Sequence, residues 1–209
     1  MKKSLMGLCA VALMALATDI AATAATIDFE ADASGLQANG FSPAGHPGVH
    51  FTDTDGADLF ISDFSPQSVG QGLAVFSDDA SILRIDFDFL VNALSIAFGN
   101  DDPDGFAGEG DIALLTLFNG ASEVGSAFTE MNLNDIMDQT VVFSGLAFNR
   151  ALFSFADADG NPIDLIEIVD YIDYTPADIA AGVPEPASLT LIGAGLMGLG
   201  GIARRRKGS

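Results

Sequence analysis

The sequence predicts an all-β body, an antiparallel β-sandwich or jelly roll, set between two terminal segments that stand outside the fold. Three observations predict it. Apolar residues alternate with polar ones in short runs, the period of a strand with one buried face. Clusters of Gly, Asp, Asn and Pro separate these runs, as turn chemistry requires. A helical period is almost absent from the body, and only residues 131–137 hint at a short helix.

The strands follow in order. Ile27 and Phe29 alternate with Asp28 and Glu30, then Val49 and Phe51 with His50 and Thr52. Apolar runs at 59–61 and 73–76 come next. Ile85, Phe87 and Phe89 alternate with Arg84, Asp86 and Asp88, and Leu94, Ile96 and Phe98 with Ala93, Ser95 and Ala97. Runs at 112–118, 141–143, 151–155 and 165–171 complete the series. Roughly ten short strands suit a two-layer sandwich. The sixteen phenylalanines, beside no Trp and two Tyr, read as core. A sugar-stacking face usually exposes Trp or Tyr, which leaves Tyr171 and Tyr174 as candidates.

Residues 1–24 read as a secretory signal. Lys2 and Lys3 precede an apolar run over 5–17, and Ala22 and Ala24 form an A-x-A cleavage site. The run is short for a span, and Asp19 ends it with a charge. The sandwich is expected over 25–178. A linker at 179–186 ends in Val183, Pro184, Glu185 and Pro186. Residues 187–203 are apolar and rich in Gly and Ala, a transmembrane helix at the short end of the usual length. The basic tail, 204–209, opens with Arg204, Arg205 and Arg206 and is expected to stay cytoplasmic. The body is therefore expected outside the inner membrane, with the chain anchored there transiently by its C-terminal helix.

Charge excludes some partners. The chain has 29 acidic and 8 basic residues, but six of the basic ones lie in the ends. Residues 25–183 keep only Arg84 and Arg150 against 27 acids, a net of −25, and contain no lysine. Such a surface repels nucleic acid and anionic membranes and attracts divalent cations. The single cysteine, Cys9, lies in the signal segment. The body thus has no disulfide, thiol nucleophile or thiolate metal site, and relies on its core or on a metal staple.

The order Pro184-Glu185-Pro186, short span, arginine cluster resembles the PEP-CTERM sorting signal. That resemblance implies processing near Pro-Glu-Pro by an exosortase, a membrane protease, in a host that makes an extracellular polysaccharide matrix. The body resembles a β-sandwich module common in such proteins. The matching pieces are Ile27-Asp28-Phe29-Glu30, Pro47-Gly48-Val49-His50-Phe51, Ile85-Asp86-Phe87-Asp88-Phe89, the run from Leu94 through Asn100 to Asp102, and Pro162-Ile163-Asp164-Leu165-Ile166. Modules of this kind look like galactose-binding-type jelly rolls. The closing piece departs from the pattern, with Asp-Leu-Ile where Asp-Asn-Ile is usual.

Three acidic glycine loops are candidates for calcium, which needs six to eight hard oxygens. They are residues 53–58, 100–111 and 157–161. In the second, Asn100, Asp102 and Asp104 stand at alternate positions before Gly105, with Asp111 further on. Strand-like flanks exclude an EF-hand but leave calcium in a β-loop, ordinary turn chemistry being the alternative. Glu30 and Asp164 form a second carboxylate pair if the first and last strands lie side by side. His46 and His50 are a candidate zinc pair. No nucleophile motif surrounds any serine, and no phosphate loop or dinucleotide fingerprint is present. The expected function is a non-enzymatic cell-surface or extracellular-matrix protein, binding polysaccharide with structural calcium. A secreted glycosidase-like hydrolase using acidic residues and a purely structural matrix component are the alternatives.

Overall fold

The body folds because two long strands each serve two layers. A computed structural model describes residues 23–56, 59–76, 80–101 and 107–177. The strands are β1 (Ala25–Ile27), β2 (Gly35–Gln37), β3 (Val49–Asp53), β4 (Leu59–Asp63), β5 (Gln71–Val75), β6 (Leu83–Gly99), β7 (Ile112–Asn119), β8 (Ser122–Glu130), β9 (Gln139–Ala156) and β10 (Glu167–Pro176). Every pairing is antiparallel, and the hydrogen-bonded order is β2-β4-β5-β10-β6-β9-β7-β8, with β1 on β10 and β3 on β6. The described residues are all-β, as the alternation predicts.

β6 has 17 residues and β9 has 18. Their shared ladder breaks between Asp86–Arg150 and Val91–Phe148, with a further shift before Ala93–Ser144. Such irregularities bend strands and raise local twist. On one side of the break β6 pairs β3, and β9 pairs β7. On the other side β6 pairs β10, which carries β5, β4 and β2 beyond it. The two halves thus become two sheets folded over one core.

Phenylalanine fills that core. The Phe98 ring, on the second half of β6, meets Phe153 at 6.1 Å and Phe155 at 5.8 Å, on the second half of β9. Phe87 meets Phe148 at 6.1 Å, and Phe29 meets Phe51 at 5.6 Å. Phe29, Phe51, Phe98, Phe148, Phe153 and Phe155 are fully buried. Edge-to-face ring pairs add to the transfer energy of burial.

Two expectations are corrected. The residues read as separate strands before and after position 90 are one strand, and so are the runs at 141–143 and 151–155. The short helix expected at 131–137 is absent. Asp101, buried, accepts the Leu133 N–H at 2.6 Å and the Asp135 N–H at 2.8 Å. Asn132 and Asn134 side chains accept the N–H groups two residues on. Leu133 and Asp135 adopt left-handed φ values of 57° and 58°. Side-chain acceptors here outcompete the helical ladder for the same donors.

The chain ends of the domain lie together. Ala25 pairs with Tyr174, and Pro176 pairs with Val91. The opposite end of the sandwich holds Asp53 at the end of β3, Gly99 at the end of β6, Glu130 at the end of β8 and Ala156 at the end of β9.

Replacing Phe98 by Ala should lower the unfolding free energy by about 3–5 kcal/mol, as expected of a fully buried aromatic. Urea denaturation checks this, with Phe128→Ala as an exposed control that should change stability by less than about 0.5 kcal/mol.

Candidate functional site

Strand register builds a cleft on the outer face of the sheet that holds β7, β8 and the second half of β9, at the end away from the chain termini. Antiparallel pairing sets Leu114 of β7 between Phe128 of β8 and Ser154 of β9. One step along, Ile112 lies between Glu130 and Ala156. Period two then puts Phe128 and Glu130 on the same face.

The turn after β9 closes the cleft. The Asp157 carboxylate accepts the Asp159 and Asn161 N–H groups, both at 2.9 Å, and the Asn161 amide at 2.9 Å. The Asp157 carbonyl accepts the Gly160 N–H at 2.9 Å. The Asn161 side chain, then its backbone N–H, holds the Asp157 carboxyl below the usual carboxylate range. Gly160, at φ 84°, brings the turn over Leu114, whose Cδ2 would lie 3.8 Å from a Cβ there. Gly110, Ile112, Phe128, Glu130, Ala158, Asp159 and Gly160 line an open cleft of ≈ 410 Å³. Phe128 is 68% exposed. An aromatic face can stack on the C–H face of a sugar, and carboxyl oxygens can accept its hydroxyls. Sequence reasoning missed Phe128 because β8 reads as Ser122-Glu123-Val124-Gly125-Ser126-Ala127-Phe128-Thr129-Glu130, with one large apolar residue. The phenylalanines are therefore not all core. Tyr171, by contrast, is 43% exposed on β10, and Tyr174 is buried.

The expected metal ligands are only partly described. Asn100 donates to the Ile166 carbonyl at 2.8 Å and accepts from Gln67 Nε2 at 3.0 Å. Asp111 accepts the Gly108 N–H at 2.7 Å. Asp102 and Asp104 lie outside the described residues. Among the described residues no group of three or more His, Cys, Asp or Glu is arranged to hold a metal ion. Val183, Pro184, Glu185, Pro186, Arg204, Arg205 and Arg206, with the span at 187–203, also lie outside the described residues, as do residues 1–22.

Two other pairings change. Glu30 does approach the last strand, but beside Asp170 and not Asp164, because β1 runs antiparallel to β10 from Ala25–Tyr174 to Ile27–Ile172. Glu30 Oε1 accepts the Gln71 N–H at 2.8 Å, where a Cβ on Gly70 would collide with it. Asp170 is fully buried, accepting the Tyr171 N–H at 2.7 Å and the Val69 N–H at 3.3 Å. Burial, helped by Glu30 and Asp28, pushes its carboxyl up to about 7. The two histidines do not converge on each other. His46 Nδ1 bonds Tyr174 Oη at 3.0 Å. His50 Nδ1 lies 2.8 Å from Ser42 Oγ, and its Nε2 lies 3.3 Å from Asp88 Oδ1. A histidine does stand beside a serine, an arrangement no local motif announces because Ser42, His50 and Asp88 come from separate segments.

Residues 182–207 match the PEP-CTERM protein-sorting motif, so the chain carries that signal, the mark of an exported protein. No curated protein matches the chain. Solved structures similar to it include the paired CBM22-1 and GH10 modules of a Clostridium thermocellum endo-1,4-beta-D-xylanase complexed with xylohexaose, at 12% identity and TM-score 0.39. That match covers 70% of this chain and 28% of the xylanase chain. A CBM22-1 xylan-binding domain from Paenibacillus barcinonensis is similar at 10% identity and TM-score 0.38, over 75% of this chain and 96% of that one. A mutant family 29 carbohydrate-binding module is similar at 16% identity and TM-score 0.37, over 78% and 99%.

Asp170 generates a pH prediction. Its carboxyl is raised in the folded state, so between about pH 4 and 7 the folded chain holds a proton that the unfolded chain has lost. Stability should therefore fall as pH rises through that window. Relative to Asp170→Asn, the unfolding free energy should drop by an amount on the order of 4 kcal/mol between pH 4 and 8. Equal pH profiles for the two proteins would show that Asp170 ionises freely.

Proposed function

We propose that this is a non-enzymatic protein of the cell surface or extracellular matrix that binds polysaccharide in the cleft of Phe128, Glu130 and Asp159. One observation carries the reading. An exposed phenylalanine stands beside two carboxyl groups over an apolar floor, at the end of the sandwich opposite the chain termini. A ligand site of this kind combines apolar stacking area with a few polar groups that fix orientation. The sorting motif supplies the address. An exosortase-type protease is the processing partner in this reading, acting near Pro184-Glu185-Pro186, with Arg204, Arg205 and Arg206 retained on the cytoplasmic side until processing. Calcium at Asn100, Asp102, Asp104 and Asp111 belongs to the same proposal as a staple of the loop. A melting temperature that rises in calcium and not in magnesium supports it, and an unchanged one removes it.

A second reading rests on the Ser42–His50–Asp88 chain. With Nε2–H facing Asp88, His50 Nδ1 is free to accept the Ser42 hydroxyl proton, which is the relation of a general base to a nucleophile. Hydrolysis of a simple aryl ester, abolished by Ser42→Ala, favours a secreted hydrolase. Equal rates for the two proteins eliminate it.

The binding reading predicts that Phe128→Ala weakens retention on immobilised extracellular polysaccharide at least tenfold while the melting temperature stays unchanged. Equal retention would contradict the cleft.

A further inference from the structure

The cleft also selects the charge of its ligand. This step rests on the polysaccharide reading above. The residues 25–183 contain no lysine, and their only cations are Arg84 and Arg150. Both are committed to one carboxylate. Asp86 lies 2.6 Å from Arg84 Nε and 3.0 Å from Arg150 Nε. The commitment follows from register, since Asp86 pairs with Arg150 across β6 and β9 and stands two residues from Arg84 on the same face. A uronate, sulfate or phosphate group would therefore meet no uncommitted lysine or arginine in the body.

The cleft itself is acidic. Glu130 and Asp159 line it on opposite sides, one from β8 and one from the turn after β9. Asp157 sits in the same turn, and the Asn161 bonds that keep its carboxyl below the usual range hold its charge into acid. Asp111 is joined to the site through its carbonyl, which accepts the Met131 N–H next to Glu130. The open ring of Phe128 lines the same cleft as Glu130 and Asp159. An ammonium group suits every part of this arrangement. It can rest on the ring face by cation–π attraction and donate to carboxyl oxygens on either side. The negative field of the whole body adds to its local concentration. We infer that the Phe128 cleft takes a polysaccharide bearing free amino groups, such as a de-N-acetylated hexosamine polymer, in preference to neutral or anionic glycans.

The test compares three oligosaccharides of equal length on the full-length chain in non-ionic detergent: β-1,4-glucosamine, its fully N-acetylated counterpart, and polygalacturonate. At 50 mM salt the amino form should bind at least tenfold more tightly than the acetylated form, and the uronate should not bind. Raising salt to 500 mM should shrink that advantage, because screening shortens to a few ångströms. Glu130→Gln with Asp159→Asn should abolish the preference, whereas Glu123→Gln with Asp63→Asn, which removes the same charge at exposed positions elsewhere, should preserve it. Equal loss in both pairs would reduce the attraction to diffuse charge and overturn the inference. So would tighter binding of the acetylated or uronate form. Binding of none of the three, or binding indifferent to Phe128→Ala, would instead fail the polysaccharide reading itself.

Discussion

Everything in this structure depends on the bend shared by β6 and β9. Without the break between Asp86–Arg150 and Val91–Phe148, the ten strands would continue as one open sheet. The bend turns that sheet on itself and brings Phe98 against Phe153 and Phe155. The only two cations of the body sit at this corner, bound to Asp86 on the outer face. Arg84 and Arg150 thus contribute to the fold at the point where β6 changes partners, and they are lost to any ligand.

The rest of the molecule is organised by carboxyl groups that bind backbone. Asp101 holds residues 133 and 135, Asp157 closes the turn over Leu114, and Glu30 and Asp170 grip residues 69–71 from two sides. In a chain with so few cations, backbone N–H groups are the available partners for acids, and hydrogen bonds to the ionised ones, Asp170 below about pH 7 excepted, are the stronger kind. The same acidity lines the cleft, where Glu130 and Asp159 share one opening. The cleft inherits both properties. Its wall is a carboxylate-built turn, and its rim is acidic.

Much of the architecture was legible in the sequence. Alternation at Val49–Phe51, Ile85–Phe89 and Leu94–Phe98 reports directly which side chains face the core, and those residues are buried or nearly so, apart from half-buried Phe89. The continuity of β6 was not legible, because Leu90 and Asn92 interrupt the alternation at the bend, where the strand changes partners. The β8 strand was not legible because an edge strand with one packed neighbour needs few large apolar residues. The false helix at 131–137 reflects Leu, Ile and Met at helical spacing. The Asn and Asp residues between them were the opposing signal, and Asp101 decides the outcome from 32 residues away. The site shares this difficulty. Asp159 lay in a loop marked for its carboxylates, but its relation to Phe128 exists only after β7 has paired with both β8 and β9.

The central claim is that glycan binds at Phe128, and ring resonances report on it residue by residue. With 13C-labelled phenylalanine, an amino-glycan titration should move the Phe128 ring signals progressively to saturation while those of buried Phe98 and Phe153 stay fixed. Saturable binding with no change at Phe128 would place the ligand elsewhere and contradict the account.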